Sequence, residues 1–292
     1  ADKFANAALK ILNNFKVDKV VFGSECNNLD ILNKIVDTQL YDNNYNQKVK
    51  EYLDKGLNYP TALSKALNIN FDFNNPNDLL GISYIKVIKQ NNFNIEPIAI
   101  KRTSSYHDLK SNESIISASN IRNKLKKNES INNYLPQESF NNINNVNYDK
   151  YFELLKYKII TEHNLARYLT VDEGIENKLK KVILEVNNIE DLLKKLKTKR
   201  YTYNKLNRML VHILVGLLKE DNNIPIDYIH VLGFNDKGKK YLNSIKKELV
   251  IPIKVNRNSK IFEYELKASL VYEILTTSNS YDFELKNKPI LK

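Results

Sequence analysis

The feature that most constrains this chain is an alternation of short apolar runs with helical patterns over roughly its first 130 residues. DKVVFG at 18–23 ends in glycine and reads as a buried parallel strand whose C-terminal end meets a ligand crevice. IEPIAIK at 95–101 reads as the next strand. Between them, Tyr59-Pro60 begins a helix, and Asn75-Pro76 begins another with Asn75 as N-cap and Pro76 in the first helical position. That helix turns Leu79, Leu80, Ile82, Ile85, Val87 and Ile88 inward. After an SYHD loop, ISASNIRNKLKK is a helix with serines in its first turn. Strand and helix in alternation predict an α/β, Rossmann-like domain with a mostly parallel sheet. The opening ADKFANAALKILNNF already has a helical period, with Phe4, Ala8, Ile11 and Phe15 on one face. A mononucleotide-binding unit starts with a strand and a phosphate-cradling loop, so such a segment is expected to precede Ala1.

The pattern changes near residue 130. Residues 128–147 are asparagine-rich and weakly periodic, which suits a linker or surface crossover. Helical patterns follow at 148–160, 172–185, 189–198 and 202–217. The chain closes with a strand-helix-strand signal, IHVLGF, DKGKKYLNSIKK and VIPIKV, and a helix around 260–276. These shifts divide the chain at 1–130, 131–222 and 223–292: an α/β domain, a mostly helical basic region, and a small terminal α/β element.

Charge narrows the partners. Lys and Arg total 45 against 34 Asp and Glu, leaving +11, an excess that points to a polyanion, nucleic acid before membrane. No apolar run approaches the roughly 18 residues of a membrane span, and the expectation is a cytoplasmic protein. Cys26 is the single cysteine, which excludes an intramolecular disulfide framework, and with four scattered histidines no metal site is expected.

Several constellations could carry chemistry. In Ser117-Ala118-Ser119-Asn120-Ile121-Arg122, hydroxyls and free N–H groups at a helix start face anions and Arg122 follows a turn later, which suits a polyphosphate; the same serines also suit simple capping. Lys124, Lys126 and Lys127 either extend that field or form a solvated face. Gly23 permits close approach of a ligand, or a turn, with Ser24 and Glu25 in the same loop. Asn77 could bond a ribose or base, or cap its helix beside Asn75 and Asp78. Arg102 sits just past a strand end, where α/β proteins bind ligands. His107-Asp108 reads as an acid–base pair or as a loop hydrogen bond. Cys26 lacks an activating partner and reads as structural. Farther on, Leu206, Met209, Leu210, Ile213, Leu214 and Leu217 form an apolar stripe that leaves Tyr201, Lys205, Arg208 and His212 opposite, with Lys197, Lys199 and Arg200 just before. Cations interleaved with tyrosines suit RNA phosphates and unpaired bases; an ordinary solvated basic face is the alternative.

Taken in order, VVFGSE (20–25), NPNDLLGISYI (75–85), IKR (100–102), YHD (106–108), SASNIR (117–122), EGIENKLKK (173–181) and LKTKRYTYNKLNRML (196–210) resemble the bacterial tRNA(Met) cytidine acetate ligase family of the nucleotidyltransferase superfamily. The resemblance runs from Ala1 to about residue 240. It implies an enzyme that activates acetate with ATP, with Mg2+ assisting, and acetylates N4 of the wobble cytidine, position 34, of elongator tRNA(Met). It implies ATP binding by Gly23, Asn77 and Arg102 and by Ser117, Ser119 and Arg122 of SASNIR; the basic face, Lys197, Lys199, Arg200, Tyr201, Lys205 and Arg208, is the expected tRNA surface, and no protein partner is expected. The family's first motif, a strand and loop with two histidines, has no match in this sequence. These 292 residues are therefore expected to be inactive alone. Two other readings stand beside it: an adenylyltransferase acting on a small phosphorylated metabolite, which seldom needs a long basic extension, and a non-catalytic RNA-binding protein.

Overall fold

Alternating burial along VVFGS sets the geometry of the α/β unit. In a computed structural model describing residues 2–57, 59–67, 69, 71–73, 75–102, 115–140, 143, 145–198, 200–286 and 288–292, the chain forms two compact units, Ala1–Ile143 and Asn144–Lys292. The division falls inside the asparagine-rich stretch.

In the first unit α1 (Asp2–Asn14) leads into β1 (Lys19–Ser24), followed by α2 (Leu29–Tyr41), α3 (Tyr45–Asp54), α4 (Tyr59–Leu67) and α5 (Pro76–Asn91). Then come β2 (Glu96–Lys101), α6 (Ala118–Lys126) and a short α7 (Gln137–Phe140). β1 and β2 pair in parallel, Lys19 opposite Glu96 through Ser24 opposite Lys101. Val20, Phe22 and Ser24 of β1 are buried while Val21 is 53% exposed, so this strand buries one face and not both, correcting the reading of a fully buried strand. The packed face meets α5. There Gly81 lets the Phe22 ring lie against the helix: a Cβ at that position would come within 2.3 Å of the ring. Phe22, Leu32, Ile35, Val36, Ile82 and Ile85 form one cluster with residues of α3 and α4. Val20, Ala5, Leu9, Val87, Ile88 and Ile95 form another. Leu79 and Leu80 of α5 are only half-buried. The buried stripe of α1 is Ala5 and Leu9, with Ala8 and Leu12 beside it. Phe4 is 62% exposed and Ile11 and Phe15 are half-buried, so the inward face of α1 is rotated from the one drawn from the large side chains.

The second unit opens with α8 (Tyr148–Thr161), α9 (Ile175–Val182), α10 (Ile189–Leu196) and α11 (Tyr203–Val215), which enclose one core that includes Leu155, Ile159, Leu179, Leu192, Leu206 and Leu210. Side-chain caps start three of them: Asn147, Asn188 and Thr202 accept from the backbone N–H three residues on. The unit ends with β3 (Gly233–Phe234), α12 (Asp236–Ile245), α13 (Lys260–Leu275), α14 (Ser280–Lys286) and β4 (Ile290–Leu291). β3 pairs in parallel with β4. The expected strand at VIPIKV does not form: Pro252 has no N–H to give a ladder and contributes only its carbonyl, accepting from Ile229 N–H, while Val250 is 90% exposed. No described helix is long and apolar enough to cross a membrane.

Candidate functional site

The loop after β1 and the first turn of α5 are locked by two carboxylates. Asp78, fully buried, accepts from Ser24 Oγ at 2.5 Å, from Glu25 N–H at 3.0 Å, from Cys26 N–H at 3.1 Å and from Asn75 Nδ2 at 3.3 Å. Ser24 Oγ in turn accepts from Asn27 N–H at 2.8 Å. Glu25 reaches the other way: its Oε2 accepts from Asp78 N–H at 3.0 Å and its Oε1 from Asn77 Nδ2 at 2.6 Å. A helix start has free N–H groups and a partial positive charge, and here a carboxylate from a distant loop satisfies one of them. Asn75 holds the N-cap position but makes no side-chain cap bond, because Glu25 does that work.

Arg102 completes the group. Its N–H donates to the Ser24 carbonyl at 3.1 Å and its Nε lies 3.9 Å from Glu25 Oε1. A Cβ on Gly23 would meet the Arg102 Cγ at 3.4 Å. Asn77 and Arg102, far apart in sequence, thus meet at Glu25, with Gly23 against the Arg102 side chain, at the C-terminal ends of two parallel strands, where open α/β sheets bind their ligands. The structure also shows Glu25 and Asp78 to be the organising residues. The sequence contained the hint, an acidic residue in a first helical turn and another just past a strand, but nothing in it pairs residues 53 positions apart.

Ser117, Ser119 and Arg122 form a second local group at the start of α6. Ser117 is buried and caps the helix, accepting from Asn120 N–H at 3.1 Å. Ser119 is half-buried and its Oγ accepts from the exposed Arg122 Nη2 at 3.3 Å. Lys124 is paired with Glu129 at 3.2 Å and lies 5.7 Å from the Tyr134 ring centroid. His107 and Asp108 lie outside the described residues.

On the second unit, α11 turns Leu206, Met209, Leu210 and Ile213 into the core and Arg208 outward. Lys197 is exposed, 5.6 Å from the Tyr203 ring centroid; Arg200 is exposed, 3.6 Å from Glu173; Lys205 is half-buried, 3.9 Å from the Tyr201 ring centroid. Tyr201 does not belong to the solvated face. It is buried, and its hydroxyl donates to the Asp172 carbonyl at 2.7 Å and accepts from Asp172 N–H at 3.1 Å, so the ring is core and cannot stack on a base. At the start of α11 it is Tyr203 that is exposed. His212 is turned inward as well, with Nδ1 3.1 Å from both Thr170 Oγ1 and the Leu169 carbonyl, and burial lowers its pKa. Lys199 lies outside the described residues. A cavity of about 630 Å3 in the same unit is lined by Lys158, Arg167, Lys260 and Lys267. Those cations are matched within 4 Å by Glu162, Asp221 and Glu263.

A parallel strand pair with a crossover of helices and a loop–helix lock at the strand ends place the first unit among α/β ligand-binding folds, followed by a helical unit with exposed cations. The family model for HIGH nucleotidyl transferases matches residues 1–287. The chain is similar to the tRNA(Met) cytidine acetate ligases of Clostridium perfringens (33% identical, covering 100% of this chain and 80% of the relative), Anoxybacillus flavithermus (32%, 93% and 75%) and Mycoplasma mobile (37%, 74% and 73%). Its fold is that of Thermotoga maritima TmcAL, with a TM-score of 0.85 to the apo crystal structure at 22% identity, covering 99% of this chain and 81% of that one. The crystal structure of the same protein bound with alpha-thio ATP gives 0.82 at 23% identity, covering 99% and 80%. The chain belongs to the tRNA(Met) cytidine acetate ligase family of HIGH nucleotidyl transferases.

Proposed function

We propose that this chain carries the ATP and tRNA surfaces of a cytoplasmic, ATP-dependent ligase that acetylates N4 of cytidine 34 in elongator tRNA(Met). The observation that supports it best is the meeting of Asn77 and Arg102 at Glu25, with Gly23 against Arg102, at the strand ends, in a family whose named members are tRNA(Met) cytidine acetate ligases. In this reading acetate attacks the α-phosphorus of ATP and pyrophosphate leaves. The cytidine N4 amine then attacks the acetyl carbonyl, loses a proton, and AMP departs. No protein nucleophile is required, so the protein contributes position and charge. Arg102 stands beside the crevice; Arg122 and the start of α6 would meet the departing pyrophosphate. Mg2+ would travel on the triphosphate oxygens, since the carboxylates at the crevice, Glu25 and Asp78, already hold Asn77 and backbone N–H groups.

The test separates the two surfaces. In a form of the protein that carries the two-histidine loop, Arg122→Ala removes one charge-assisted contact, expected to contribute about 1.5–3 kcal/mol, or one to two decades in acetate-dependent ATP–pyrophosphate exchange. tRNA retention on filters should be unchanged. Normal exchange with lost tRNA binding would place Arg122 on the RNA surface instead. The 292 residues alone are expected to bind ATP without exchanging pyrophosphate.

A further inference from the structure

Near the end of the second unit, three side chains from separate elements face one another: His230, in the segment before β3, Glu265 in the middle of α13, and Glu284 on α14. One donor atom from each lies within 4.8 Å of the other two. His230 Nδ1 is 3.6 Å from Glu284 Oε2. That is too long for an N–H···O hydrogen bond, but close to the roughly 3.4 Å that separates two ligands held about 2.1 Å from a tetrahedral ion. Glu284 Oε2 is shielded from solvent and has no hydrogen-bond partner among the described residues. A shielded carboxylate oxygen without a donor is costly, and a second carboxylate beside it raises the cost.

The surroundings hold the donors in place. Ile229 N–H donates to the Pro252 carbonyl at 2.8 Å, and the Leu232 carbonyl accepts from Ile290 N–H at 2.9 Å, so His230 sits between two anchored neighbours. The Tyr228 hydroxyl donates to Glu265 Oε2, the kind of outer contact that fixes a ligating carboxylate. α14, in contrast, has no buried residue, and its contacts with α13 include Ser280 Oγ donating to the Ser269 carbonyl and Tyr281 N–H donating to Glu273 Oε2. We infer that His230, Glu265 and Glu284 bind a divalent transition-metal ion, Zn2+ being the best match to one imidazole and two carboxylates, and that the ion clips α14 and the His230 segment to α13. Four histidines scattered in sequence gave no hint of this, because the ligands come from positions 230, 265 and 284 and no short motif spans them.

The experiment uses the full 292-residue chain stripped with a chelator and then titrated with Zn2+. The expected result is one equivalent bound and a melting midpoint raised by about 5 °C at saturation. Co2+ in place of Zn2+ should give visible d–d bands of a low-coordinate site. Glu284→Gln and His230→Ala should each abolish the bands and the thermal response, and without metal Glu284→Gln should melt at or above the parent because the unmatched carboxylate is gone. Should either variant fail to fold, metal stoichiometry and the Co2+ spectrum of the parent still decide. No stoichiometric binding by the parent would overturn the proposal and leave an imidazolium–carboxylate pair only; equal responses in parent and folded variants would place the ion elsewhere and overturn it too.

Discussion

Asp78 shows how much one buried carboxylate can organise. It receives the Ser24 hydroxyl and the N–H groups of Glu25 and Cys26, so it shapes the loop that leads out of β1. Asp78→Ala leaves those donors without their acceptor and is expected to cost on the order of 2–3 kcal/mol in urea unfolding of the first unit, with ATP affinity falling too. Unchanged stability would mean that water replaces the carboxylate freely. Glu162 is the comparable residue in the helical unit. The Tyr168 hydroxyl, then Asn164 N–H, Arg167 and Lys158, hold its pKa down, from the ordinary 4.5 to about 2. A depressed carboxylate stabilises the fold above its unfolded pKa, and that contribution is lost as pH falls from about 4.5 towards 2. Glu162→Gln should therefore be less stable at neutral pH and show a shallower loss of stability across that window, read as melting midpoint against pH. Parallel curves for parent and variant would contradict the assigned pKa.

Two helices carry the argument at the next scale. α5 depends on Gly81 to admit the Phe22 ring. Gly81→Ala is expected to destabilise by about 1–3 kcal/mol despite alanine's better helix propensity, and pairing it with Phe22→Leu should recover part of that loss; strict additivity would show that the two residues do not meet. α11 and the turn before it present Lys197, Arg200 and Arg208 to solvent. Replacing Arg200 and Arg208 together by Ala should lower tRNA affinity and reduce the slope of log affinity against log salt by up to about 2, with helix content intact because both lie off the buried stripe. An unchanged slope would move the RNA surface elsewhere. These elements were legible in advance because a helix with a strict apolar stripe announces its buried face. Tyr201 was not: it precedes the helix, and its direction is fixed by bonds to Asp172, which the helical period does not register. The misassigned face of α1 has a similar origin, since its large residues drew attention from the alanines that make the contact.

At the scale of the whole chain, the change from strand–helix alternation to helical patterns showed in the sequence because each follows a different hydrophobic period. What stayed hidden were pairings between distant positions: Glu25 with Asn77, Asp78 with the loop after β1, and His230 with Glu284. The proposed function comes down to residues of the first unit binding ATP and those of the second binding tRNA in a single acetylation. The direct test incubates elongator tRNA(Met), ATP and isotopically labelled acetate with a form of the protein bearing the two-histidine loop, and then maps the modified nucleoside by mass spectrometry. The account predicts labelled N4-acetylcytidine at position 34, dependent on ATP and on Arg102. It would be contradicted by an unmodified tRNA together with transfer of AMP to a small phosphorylated metabolite, or by tight tRNA binding with no turnover of ATP.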